Sequence, residues 1–357
     1  MLLRIQLLTL LLLITLGVRA EVRPFTFIHI SDVHIGGPYN SIRFQQALQD
    51  VEKNYPEAEF IIVTGDCTDF GFEDELTSYV ETLQANTKLK VYSVSGNHDS
   101  RWSDSGKENF RRIVGPTYLS FDHKGFRFIL MDSSMLLEQY AHFDGQQLAR
   151  LEEELKSLPR NHPAIIAMHH PPLSPGKFFD NDYRFAELIA RYNVPLVLTG
   201  HGHAFQRYSH NGTLFAMGGS TFGTHRDHNA YAVWQVGPRT MTRTLRRFLW
   251  DRSSVDITIP TQRSRQVPRV RAVEDTGFGG PLRFMIDTPA GYPPIQDCTW
   301  KVDDFLTGTA TEDMIEINPN QLPPGAHQLV AEIRIGEDQT DLIAIEFTTE
   351  KASLSQP

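Results

Sequence analysis

Phe25-Thr-Phe-Ile-His-Ile-Ser-Asp-Val-His34 and Phe60-Ile-Ile-Val-Thr-Gly-Asp66 decide the reading of this chain. Each is a short apolar run ending abruptly in residues that can ligate a metal. A run of five or six apolar residues, too short for a helix and rich in β-branched and aromatic side chains, reads as a buried strand. The same construction recurs in Val91–Ser95 before Gly96-Asn97-His98-Asp99, Ala164–Met168 before His169-His170, and Pro195–Thr199 before Gly200-His201-Gly202-His203.

Between these strands lie helical patterns. Ile42 to Tyr55 puts Phe44, Leu48 and Val51 on one face, and Asp74 to Gln84 continues the alternation. Phe126–Met131 reads as a further strand, and Asp144 to Leu158 as a helix opened by Asp144 and stopped by Pro159. Alternating strand and helix implies an α/β fold with ligands at the carboxyl ends of successive strands, where such sheets place their sites. Oxygen and imidazole ligands gathered there suit divalent ions of hard or borderline character: Mn, Fe or Zn.

These five motifs, in this order, resemble the calcineurin-like metallophosphoesterase superfamily over about residues 25–235, and within it the class III cyclic-nucleotide phosphodiesterase branch. The resemblance implies a four-layer αββα sandwich of two mixed sheets with helices outside. It implies a dinuclear metal centre, with Asp32, His34, Asp66 and His203 on a first ion. Asp66 would bridge to a second ion completed by Asn97, His169 and His201. It further implies attack on phosphorus by a metal-bridging hydroxide, with His98 as general acid and Asp69 orienting it. Asp99 is expected to cap its turn, and His170 to pack beside His169.

Departures from sister families narrow the expectation. Position 69 is Asp where purple acid phosphatases carry a tyrosine, and position 70 is Phe where serine/threonine phosphatases carry an arginine. A phosphodiesterase for small or lipid-like substrates is favoured. A phosphomonoesterase or nucleotidase on the same site is the alternative, and a non-catalytic binding protein is a reading of a different class.

Composition bounds the rest. With 357 residues, 40% of them hydrophobic, the chain can build two domains, and a net charge of −9 disfavours nucleic-acid binding by overall charge. Residues 1–20 read as a signal peptide: Arg4, the apolar run Ile5–Val18, and Val18-Arg19-Ala20 as a cleavage site. The protein is therefore expected to be exported, periplasmic or secreted. Cys67 and Cys298, far apart in sequence, are expected to stay unpaired.

The catalytic domain is expected over residues 21–238, followed by an arginine-rich linker at 239–272 able to touch a membrane or wall polyanion. The loop Thr224–His228 is expected to border the pocket with Arg226. Short β-like runs over 273–357 predict a small β-sandwich with Trp300 in its core and His327 at a strand edge. Leu322-Pro-Pro-Gly-Ala-His-Gln-Leu329 resembles immunoglobulin-like modules that follow exported phosphoesterase domains.

Overall fold

The computed structural model describes residues 22–174, 179–273, 280–303, 306–311, 313–335 and 340–349. The expected signal peptide, residues 1–20, lies outside the described residues.

The period of two in the first strands builds the layers. In Phe25–Ile30, Phe25 and Phe27 point into a core shared with the second sheet, while Ile28 and Ile30 point to helices. Ala58–Thr64 repeats this, with Phe60 and Ile62 inward and Ile61 and Val63 outward. Outside lie helices Asn40–Asn54 and Glu73–Asn86, contributing Phe44, Leu48, Val51, Leu76 and Tyr79. In the second sheet, Ile165 and Ala167 face Phe27 and Phe60 across the sandwich, while Ile166 and Met168 face helices Gly145–Ser157 and Asp182–Ala190. Two sheets between two helical layers form the αββα sandwich.

Strand direction places the site. Phe25–Ile30, Ala58–Thr64 and Lys90–Val94 run parallel, so Asp32, Asp66 and Asn97 emerge at one edge. Phe126–Leu130, Ala164–Ala167, Leu196–Thr199 and Thr213–Met217 also run parallel, and deliver His169 and His201 to theirs. The two edges meet where the imidazole Nδ1 of His169 donates to the Thr64 carbonyl at 2.8 Å.

The arginine-rich segment is not a linker over most of its length. Thr240–Arg247 and Arg252–Pro260 are antiparallel strands that extend the first sheet beyond Ala230–Val236. Arg243 is fully buried and bonds Asp256 through Nε at 2.7 Å, and Arg246 holds both carboxylate oxygens of Asp50 at 2.7 and 2.8 Å. Arginine is rare inside a protein unless paired, and a charge count along the sequence cannot show where the partners lie. These two arginines are spent internally and offer nothing to an external polyanion. The linking segment shrinks to 261–268.

The C-terminal β region starts at Arg269–Val273, which pairs with Leu282–Asp287, itself paired with Met314–Ile317. This three-stranded sheet shares a core of Phe284, Ile286, Trp300, Ile315, Leu329, Ile333 and Ile343 with the strands Asp297–Val302, Gly325–Arg334 and Thr340–Thr349. Trp300 lies in the core as expected. His327 does not lie at an exposed edge: it is buried, Nδ1 bonding Asp303 at 2.5 Å and Nε2 the Pro323 carbonyl at 2.8 Å. The region is not a separate bead. Thr340–Thr349 pairs in parallel with Arg207–His210, merging the second sheet with the C-terminal strands, and Val330 and Leu342 enter the catalytic core beside Tyr208 and Phe215. Cys67 and Cys298 are both free thiols in different cores.

Candidate metal centre

All seven residues expected as ligands converge. Asp66 is the pivot: its Oδ2 lies 3.5 Å from His34 Nε2 and 3.3 Å from His169 Nε2. On one side His34 Nε2 is 3.3 Å from His203 Nε2, which is 3.3 Å from Asp32 Oδ1. On the other, Asn97 Oδ1 is 3.0 Å from His169 Nε2 and 2.9 Å from His201 Nδ1. The two expected ligand sets thus meet at one carboxylate.

The backbone is bent to achieve this. Asp32, His34, Asp66, His201 and His203 all have left-handed φ values, from 49° to 71°. Such a conformation costs a non-glycine residue free energy, and strain of this kind collects at functional sites. Glycines complete the bends. A Cβ on Gly96 would sit 2.1 Å from Asp66 Oδ1, and one on Gly200 would sit 2.0 Å from Ser31 Oγ and 2.9 Å from Asp32 Oδ2.

The donor set fits divalent cations. Because His169 Nδ1 donates to Thr64, Nε2 is the nitrogen that faces Asn97 Oδ1 and Asp66 Oδ2, and in the neutral imidazole it carries the lone pair. His34 Nδ1 faces the Asp69 carboxylate at 3.2 Å, so its Nε2 likewise aims a lone pair at the centre. Acceptors turned on one another repel unless a cation lies among them. Asn97 Nδ2 is buried with no partner among the described residues, while its oxygen faces the histidines. Burial disfavours the charged form of His169, yet Asp66 and Asp32 pull its pKa up to about 9. Asp66 is held well below the usual carboxylate range: burial opposes ionisation, but His169, His34 and His98 outweigh it. Such a pocket lacks positive charge, and a proton or a metal must supply it.

His98 opens the short helix His98–Arg101 beside these sets. Its backbone N–H donates to Asp66 Oδ1 at 2.9 Å, and its Nδ1 bonds the Asp69 carbonyl at 2.8 Å. The Asp69 carboxylate is 3.7 Å from that nitrogen and lies closer to His34. Asp69 therefore holds His98 through its main chain and His34 through its side chain. Burial pushes the His98 pKa down, with Asp66 opposing. Asp99 does clasp the turn: its carboxylate accepts from the N–H groups of Cys67, Thr68 and Gly96 at 2.8 to 3.1 Å. His170 packs at 4.8 Å from the His169 ring and bonds Ser133 Oγ through Nδ1 at 2.9 Å.

Some neighbours carry no motif. Phe222 sets its ring 5.2 Å from His34, and Trp102 4.9 Å from His98. The 224–228 loop borders the pocket through His228, whose ring is 6.3 Å from His203, while the Arg226 carbonyl is tied down by Arg247 Nε at 2.9 Å. Nothing in the local spacing marks Phe222 or Trp102; only the fold brings them in.

A buried carboxylate–imidazole pocket of this type, open to solvent at His98 and His203, defines a metal-dependent hydrolytic centre. The calcineurin-like phosphoesterase family model matches residues 25–205, and the chain belongs to that family. It is a metal-dependent phosphoester hydrolase. Over 237 residues the chain is 31% identical to a protein of Nostoc sp. named a 3',5'-cyclic-nucleotide phosphodiesterase, covering 61% of this chain and 86% of that one. Over 197 residues it is 28% identical to a probable glycerophosphodiester phosphodiesterase of Arcobacter nitrofigilis, covering 49% and 71%. A dimetal phosphatase from Danio rerio shares the fold at a TM-score of 0.52 and 16% identity, covering 68% of this chain and all (100%) of that one.

Proposed function

We propose that this protein is an exported phosphodiesterase working with two divalent ions, one held by Asp32, His34, Asp66 and His203 and the other by Asp66, Asn97, His169 and His201. The observation that carries this is the position of Asp66 Oδ2 between His34 Nε2 and His169 Nε2, at 3.5 and 3.3 Å. When bound, the ions supply water activation and neutralise charge on the phosphoryl oxygens. Water adds to phosphorus, one ester P–O bond breaks, and the products are a phosphomonoester and an alcohol.

The chain's own residues do the rest. Nδ1–H of His98 donates to the Asp69 carbonyl, so the protonated imidazole gives its Nε2 proton to the departing alkoxide and is left neutral. The His98 N–H and the clasp of Asp99 keep Asp66 fixed as charge develops. Diester preference is supported by relatives named for cyclic-nucleotide and glycerophosphodiester hydrolysis. Export is supported by the character of residues 1–20 alone.

The test is hydrolysis of bis-p-nitrophenyl phosphate against p-nitrophenyl phosphate by the chain lacking residues 1–20, with metal analysis. Turnover of the diester, lost with chelator and in Asp66→Asn, is expected. Preference for the monoester would replace the proposal with a phosphomonoesterase. Export is checked by the N-terminal sequence of protein recovered from outside the cytoplasm, which should begin at Glu21.

A further inference from the structure

Large apolar side chains left in water are concentrated around the mouth of the metal centre. Eleven are exposed among the described residues; four of them stand on loops after strands that carry expected metal ligands, and three more on the loop after Phe126–Leu130. Tyr39 follows the Asp32–His34 turn and is 76% exposed. Phe70 and Phe72 follow Asp69, with rings stacked at 5.6 Å, and Phe70 meets Trp102 at 5.7 Å. Leu136, Leu137 and Tyr140 belong to the loop after strand Phe126–Leu130. That loop joins the others where Arg101 hydrogen-bonds Gln139 and where the Leu136 side chain lies against Gly106.

Apolar side chains gathered at one mouth, with Phe70, Phe72 and Trp102 in mutual contact, mark an interaction surface rather than ordinary scatter. Its position says what covers it. A protein seated over the rim would bar the substrate from His98, so the occupant must itself carry the phosphoester. Its charges point the same way. Exposed Arg112 pairs with Glu73 at 2.8 Å and Arg111 with Glu108 at 2.6 Å, so these charges are balanced within the protein, which suits a headgroup layer with no net charge. Tyrosine and tryptophan suit that layer, being apolar in body and polar at the tip.

We propose that the mouth of the metal centre docks on a zwitterionic lipid surface, and that the substrate is a long-chain phosphodiester drawn from it. The substrate part rests on the phosphodiesterase reading above. Insertion of the apolar rim, not attraction between net charges, holds the protein there.

The test uses the chain from Glu21 onward, which retains the hydrophobic cores of the described residues. It is compared with the triple variant Phe72→Ser, Leu136→Ser, Leu137→Ser, at positions outside the metal and proton-transfer machinery. Partition onto phosphatidylcholine vesicles is measured at low and high salt. Turnover is measured on methyl p-nitrophenyl phosphate and on micellar dodecyl p-nitrophenyl phosphate, which share a leaving group and differ only in chain length. The parent is expected to bind vesicles with little salt dependence. The variant should partition about tenfold less, as expected when three apolar side chains lose partial burial. It should keep the parent's kcat/KM on the methyl ester and lose about tenfold on the dodecyl ester, in proportion to the lost contacts. No vesicle binding by the parent, or unchanged binding and chain-length preference in the variant, would overturn the proposal. Rim-dependent vesicle binding with no turnover of either ester would uphold the docking surface and remove the phosphodiesterase reading.

Discussion

Ser31 Oγ lies 2.5 Å from Asp32 Oδ2 and donates its hydrogen to it. Behind it Thr64 Oγ1 donates to Ser31 Oγ at 2.8 Å, and His29 Nε2 stands 2.9 Å from Thr64 Oγ1. Each hydroxyl has one hydrogen, so the chain runs in one direction and His29 must give Nε2–H. Burial and the nearby Arg243 charge keep that imidazole neutral, its pKa lowered to about 3. The chain ends on the carboxylate expected to hold the first metal. Ser31→Ala should therefore weaken metal binding about tenfold, as loss of a hydrogen bond behind a ligand usually does. Calorimetric titration with Mn²⁺ would check this, and an unchanged affinity would show that Asp32 needs no such support.

The split role of Asp69 separates two variants that a simple pairing of Asp69 with His98 would treat alike. His98→Asn removes the proposed proton donor and leaves both expected ligand sets intact. We expect kcat to fall about a hundredfold, within the usual span for a lost general acid, with metal content unchanged. The loss should be larger on an alkyl diester than on an aryl one, because a good leaving group needs less protonation. Asp69→Ala keeps the main-chain carbonyl on His98 and strips the carboxylate from His34 Nδ1. Its first effect should be on metal affinity, read by the same titration.

Arg246 bonds both Asp50 oxygens, and the Tyr231 hydroxyl donates to Oδ2 at 2.7 Å, tying helix Asn40–Asn54 to the sheet. Burial works to raise the Asp50 pKa, but Arg246 and Tyr231 bring it below the usual carboxylate value. A lowered folded-state pKa means stabilisation that is complete above the unfolded value of about 3.9 and lost as pH falls toward the folded one. Asp50→Asn should lower the melting temperature near neutral pH and flatten its decline in that acid window. Asp50→Ala, which leaves Arg246 mostly buried without its main partner, should cost about 3 kcal/mol. Thermal unfolding from pH 3 to 7 checks both.

The strands, and the convergence of the residues expected as ligands, are legible because their signal is local. Phe25–Ile30 has the bounds its apolar run suggests, and Asp32, Asp66 and His169 each follow a strand within two residues. What escaped is what depends on distant partners. Arg243 looks like a linker residue until Asp256 is seen across the hairpin, and His327 looks like an edge residue until Asp303 closes on it. Helix starts shifted by a residue or two for the same reason: Asn40 begins its helix early, its amide fixed on the His34 carbonyl at 2.9 Å. His29 and Thr64 looked like ordinary strand residues, since a hydrogen-bond chain leaves no periodicity behind.

The join between the catalytic sandwich and the C-terminal strands yields the last expectation. His210 donates through Nδ1 to the Leu342 carbonyl at 2.9 Å, and Arg263 Nε donates to the Tyr192 carbonyl at 2.9 Å. Val330 and Leu342 fill the core around Tyr208 and Phe215. A chain ending after Pro260 would keep every expected metal ligand but expose that core and the strand edge at Arg207–His210. Uncovering two such side-chain positions forfeits about 3 to 5 kcal/mol, which for a domain of this size corresponds to a fall of about 10 °C in Tm. An exposed strand edge also invites aggregation. Differential scanning calorimetry of chains 21–260 and 21–357 decides the matter. A shortened chain that melts at the parent temperature and remains monomeric would make the C-terminal region an independent module, whereas the expected loss would make it part of the enzyme's fold.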